Sequence, residues 1–152
     1  WIVDEVPAAT KEAGAPVSDS SPRFIAGLSM GGFGALSLGA RFGGKFQAIS
    51  AHSSVTDLRE LDQVVEESLL SEPCRGEDVE VLQTILRHRE TLPPTRFDCG
   101  LDDRLLSANR ELHRSLEEVG VEHVYEEFSG GHEWSYWERH LVDTLRFFAE
   151  HL

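Results

Sequence analysis

Cysteine, basic residues and long apolar runs are all scarce in this chain. Only Cys74 and Cys99 occur among its 152 residues. Two cysteines build no disulfide framework, and no CxxC pair is present, which removes the usual zinc-ribbon and redox-motif readings. Cys99 falls in a stretch read as a strand and is expected to serve as a small buried hydrophobe. Lysine and arginine number 14 against 27 acidic residues, a net charge of −13. Nucleic acid and anionic membrane surfaces are held by clustered cations, so neither is an expected partner. A strongly anionic substrate is disfavoured for the same reason. No run reaches the roughly 18 apolar residues of a membrane span. No basic segment followed by an apolar run opens the chain, so no signal peptide is visible. A cytoplasmic chain is the default reading. Secretion stays open, because the sequence starts without Met and within what reads as a helix, as a fragment or processed product would.

What remains is a globular composition, 40% hydrophobic and 27% charged, long enough for a single core. One stretch stands out, Gly27-Leu28-Ser29-Met30-Gly31-Gly32. It fits Gly-x-Ser-x-Gly, a pattern common by chance, and its surroundings give it meaning. Arg23-Phe24-Ile25-Ala26 before it suits a buried strand. Gly34 to Phe42 after it is small and apolar, as a packed helix requires. Strand, sharp turn and helix make a nucleophile elbow. Glycines around the serine let two backbones pass closely. The helix aims its free N–H groups at the serine, where they favour developing negative charge. The competing reading is a glycine-rich turn that binds an anion or nothing.

The rest of the chain alternates strands and helices. Ile2, Val3, Val6 and Ala9 share a helical face, ended by Gly14 and Pro16. Phe46 to Ala51 reads as a second strand, Thr95 to Cys99 as a third and Val121 to Phe128 as a fourth. Helical spacing covers Asp57 to Leu70 and Val79 to Leu86. It recurs over Leu105 to Val119, with Leu105, Leu112, Leu116 and Val119 inward and Gly120 as C-cap. The last helix, from Glu133 to Glu150, carries Trp134, Trp137, Leu141, Leu145 and Phe148. This alternation predicts an α/β domain over residues 1–152, a mainly parallel sheet with helices on both faces.

A serine hydroxyl needs a base to take its proton, and the base needs a carboxylate to fix its tautomer. On a parallel sheet such groups belong on loops after strand C-termini. After the third predicted strand come Asp102 and Asp103; after the fourth comes His132. The order serine, acid, histidine is that of the α/β-hydrolases. His52 also follows a strand but precedes the acid, which makes it a pocket-lining or structural residue. Either Asp102 or Asp103 could instead cap the next helix, and spacing alone does not separate the two. His132-Glu133-x-x-Tyr136 resembles a zinc-protease helix with its second histidine replaced, so no metal is expected, nor any cofactor. Trp134 and Trp137 are expected to pack the last helix onto the sheet, and Tyr136 to face outward.

Three blocks carry a resemblance: Phe24 to Leu36, Cys99 to Arg110 and Gly130 to Trp137. Together they resemble the esterase D family of α/β-hydrolases, which includes S-formylglutathione hydrolases, feruloyl and acetyl xylan esterases, enterochelin esterases and mycolyltransferases. The resemblance implies a serine ester hydrolase with Ser29 as nucleophile, His132 as base and Asp103 as acid, on the pattern Gly-x-x-Asp-x-Leu. The backbone N–H of Met30 would be one oxyanion donor. It implies a small-molecule or carbohydrate-linked ester as substrate, with acyl transfer to another alcohol as a variant. The N-terminal strands of the family, and the loop that carries a second oxyanion donor, have no counterpart in this sequence. A weak or silent fragment, or a binding module, is therefore the rival expectation. A sheet lacking those strands would also expose an apolar edge that invites a second copy.

Overall fold

The structure, a computed structural model, describes residues 1–61 and 79–152. Four strands form one sheet: β1 (Phe24–Leu28), β2 (Ala48–His52), β3 (Thr95–Gly100) and β4 (Val124–Phe128). Their order is β1-β2-β3-β4, and every neighbouring pair is parallel. Parallel neighbours need long return connections, which helices provide. The helices are α1 (Glu5–Glu12), α2 (Met30–Arg41), α3 (Leu58–Leu61), α4 (Val81–His88), α5 (Leu106–Glu118) and α6 (Trp134–Ala149). The helix expected over Asp57 to Leu70 begins with α3; its remainder, like Cys74, lies outside the described residues. Among the described residues no helix is long and apolar enough to cross a membrane.

Side chains alternate across a strand, and here the alternation separates two unlike faces. Ile49, Ala51 and Phe97 join Leu36 and Ala40 of α2, Ile85 of α4 and Leu112 and Leu116 of α5 in one apolar core. The residues between them, Ser50, His52, Arg96 and Asp98, are just as buried but polar. They meet α6. Thr144 Oγ1 lies 2.6 Å from Ser50 Oγ and 2.8 Å from His52 Nε2. The Tyr136 hydroxyl donates to Asp98 Oδ1 at 2.7 Å. Asp98 Oδ2 is 2.8 Å from His52 Nδ1 and 3.0 Å from Arg96 Nη2, and Arg96 also reaches Glu126 at 2.8 Å.

That polar face explains where hydropathy misleads. The spacing groups Trp134, Leu141 and Leu145 on α6, with Trp134 expected to pack onto the sheet. Instead all three are exposed, and Tyr136, Trp137, His140 and Thr144 are buried. Leaving a leucine wet forgoes about 1.5–3 kcal/mol. Stranding a buried charge costs about 3–5 kcal/mol, so the polar groups take the inner side. In α5, Leu112 and Leu116 face inward as expected, Val119 is exposed, and the wholly buried Asn109 joins the inner face. β4 starts at Val124, later than expected, because Val121 N–H turns back to Leu116 O at 2.9 Å and closes the end of α5.

Arg96→Met removes the guanidinium between Asp98 and Glu126 while keeping much of the volume. The expected loss is about 3–5 kcal/mol, because Asp98 stays buried. Urea unfolding checks this, and a change under 1 kcal/mol (roughly the worth of an exposed pair) would show the network to be dispensable.

Candidate active site

Ser29 joins the end of β1 to the start of α2 with φ 54° and ψ −118°. Such a conformation costs a non-glycine residue about 1–3 kcal/mol and must be held by its surroundings. Here the Ser29 N–H donates to His52 O at 2.9 Å, and the Ser29 carbonyl accepts from Gly32, Phe33 and Val55 at 3.0, 3.2 and 3.1 Å. The turn is tight enough that a Cβ on Gly27 would sit 2.0 Å from Gly31 O. Met30, the first residue of α2, places its backbone at the positive end of that helix.

The loops after β3 and β4 are joined backbone to backbone. Leu101 N–H donates to Phe128 O at 2.8 Å and Asp102 N–H to Gly130 O at 2.9 Å. Gly100 lies so close that a Cβ there would be 2.3 Å from Gly130 O. This pairing sets Asp103 beside His132. His132 Nδ1 is 2.9 Å from Asp103 Oδ2 and 3.1 Å from Oδ1, and His132 Nε2 is 2.9 Å from Ser29 Oγ. A carboxylate only accepts, so Nδ1 carries the proton and Nε2 is left to accept from the serine hydroxyl. The Asp103 carboxyl group is fully buried and the His132 side chain 18% exposed, which shields one end of the line and opens the other.

Of the two candidate acids, the structure brings Asp103 to His132. Asp102 is exposed and holds the loop through its backbone. Capping and pairing turn out to be compatible roles, since Asp103 Oδ1 also accepts Leu105 N–H at 2.8 Å just before α5. His52 lies in the polar layer under α6. Cys99 is buried, and its thiol is pushed up to about 12 by burial and then by the nearby Asp103 charge, which keeps it protonated.

The aromatic residues after His132 divide differently from expectation. Trp137 packs edge-on to the His132 ring at 5.0 Å and Trp134 edge-on to Trp137 at 5.3 Å. Trp134 is 70% exposed and Tyr136 only 2%, the reverse of the sequence reading. The Tyr136 phenol bonds Asp98, and burial followed by the Asp98 charge raises its pKa. Its ring also fills the space beside Gly130, two residues before His132. Hydropathy carries no sign of that role. A phenol three residues from one end of a helix that meets a buried aspartate shows only once the sheet is assembled.

A parallel sheet, a serine on a strained strand-to-helix turn, and an acid and a histidine after the next strands define an α/β-hydrolase. The family model described as "Putative esterase" matches residues 2–148, and the chain belongs to that family. It is 30% identical over 144 residues to an acetyl esterase of Caldicellulosiruptor saccharolyticus, covering 84% of this chain and 54% of that protein. An S-formylglutathione hydrolase from Staphylococcus aureus superposes with a TM-score of 0.82 at 22% identity, over 94% of this chain and 60% of that one. A ferulic acid esterase gives 0.78 at 27% identity, over 98% and 58%. The chain thus spans little more than half the length of these relatives.

Gly100→Ala is expected to push the two loops apart, because the added methyl meets backbone oxygen. Loss of more than about 1 kcal/mol follows from that incompatibility. Thermal unfolding measures it. An unchanged midpoint would mean that the loops are not held in the close pairing described.

Proposed function

We propose that this chain carries the nucleophile, base and acid of a serine carboxylic-ester hydrolase. The observation that supports it is the unbroken hydrogen-bonded line from Ser29 through His132 to Asp103. Ser29 Oγ attacks the ester carbonyl while His132 Nε2 takes its proton. Asp103, anionic and buried, steadies the imidazolium that forms. Negative charge gathers on the former carbonyl oxygen, and the Met30 N–H at the head of α2 meets it. Collapse of the tetrahedral intermediate breaks the bond to the leaving alcohol, which receives the proton from His132. Water, deprotonated by the same imidazole, then releases the acid and restores Ser29. The substrate class is a small-molecule or carbohydrate-linked ester, and the likeness to an acetyl esterase supports a short acyl group.

Intact-mass analysis after a fluorophosphonate probe tests the reading. One adduct is expected on the unaltered chain and none on Ser29→Ala. Asp103→Asn should slow labelling by about 10⁴, since it favours the wrong tautomer. An adduct retained in Ser29→Ala would overturn the nucleophile, and full-rate labelling of Asp103→Asn would overturn the acid.

A further inference from the structure

Asn109 lies in the first turn of α5 and is completely buried. A buried amide left unpaired costs about 1–3 kcal/mol, so its bonds must be accounted for. Nδ2 donates to Leu105 O at 2.9 Å and to Ser54 O at 2.8 Å. Both partners are carbonyls, which only accept, so the nitrogen must face them. Oδ1 is buried with no hydrogen-bond partner among the described residues. A leucine would fill a similar space without stranding an oxygen. What the amide adds is the link between its two acceptors.

Those acceptors belong to two separate loops of the site. Leu105 follows the acid, and its N–H donates to Asp103 Oδ1 at 2.8 Å. Ser54 lies behind the elbow. A Cβ on Gly32, in the first turn of α2, would be 2.9 Å from Ser54 Oγ. The next residue, Val55, donates its N–H to Ser29 O at 3.1 Å. We propose that Asn109 is a positioning residue whose amide group fastens the acid loop to the loop behind the elbow. It thereby sets the spacing of Ser29, His132 and Asp103. Asn109 touches none of the reacting atoms. The proposal rests on the ester-hydrolase reading for its consequence in rate, though not for its geometry.

The test compares Asn109→Leu with Leu116→Val, a change in the same helix at a side chain of the apolar core. Three quantities are read on the full chain: melting midpoint, fluorophosphonate labelling rate, and the far-downfield proton resonance of His132 Nδ1 shared with Asp103. Asn109→Leu is expected to slow labelling by about 10²-fold, the scale of a misplacement of about 1 Å, and to shift or broaden the resonance. Leu116→Val should lower the midpoint and leave rate and resonance alone. If Asn109→Leu does not fold, Asn109→Ala carries the same comparison. Unchanged labelling and resonance in the folded Asn109 variant would overturn the proposal. So would equal losses in Leu116→Val, which would make the effect one of stability. Should the unaltered chain take no label, the hydrolase reading fails, and the resonance alone decides the role of Asn109.

Discussion

The backbone of Ser29 is held where an L-residue does not rest, at φ 54°, and much of the surrounding structure keeps it there. The restraint comes from both sides of the turn. His52 and Val55 bracket the serine through its own N–H and carbonyl. Gly27 lets the strand approach the Gly31 backbone at the start of the helix to a distance no side chain would allow. A relaxed turn would lower the local energy and draw the hydroxyl away from His132. The rigidity of β2 and of the loop after it is therefore a condition of that geometry, because a softer frame would let the strain escape.

The second half of the site depends on a different kind of restraint. His132 sits just before α6, and α6 is seated on the sheet through Tyr136 and Thr144 meeting Asp98, His52 and Ser50. Apolar packing tolerates sliding, since a leucine fits many neighbours about equally well. A phenol hydrogen-bonded to one carboxylate oxygen does not. The apolar core under α2, α4 and α5 supplies most of the burial. The polar layer under α6 supplies register, and so fixes the ring that must reach Ser29 across the sheet.

The parallel sheet, the strand-turn-helix at Ser29 and the loops that carry Asp103 and His132 were legible because each rests on local pattern. Strand and helix periods differ, and the site motif lies at their junctions. The choice between Asp102 and Asp103 was not a matter of period. Which of them stands beside His132 follows from the pairing of Gly100 with Gly130, a contact between distant segments, and only the resemblance pointed to Asp103 beforehand. The facing of α6 was misread because hydropathy assumes an apolar surface opposite each helix. Here Arg96 and Asp98 make that surface ionic. Asn109 was passed over for a related reason, since a single amide inside an amphipathic helix looks like an interruption until both its acceptors are known.

The strands lie side by side in the order in which they are made, and Ser29 and His132 stand 103 positions apart. On a growing chain the serine thus emerges long before the histidine whose Nε2 it meets at 2.9 Å. β2, which braces the elbow through His52, follows soon after Ser29, whereas the Ser29 hydroxyl has no imidazole partner until β4 and the turn beyond it are made. The hydrogen-bonded line of Ser29, His132 and Asp103 is completed only by the crossover from β3 to β4.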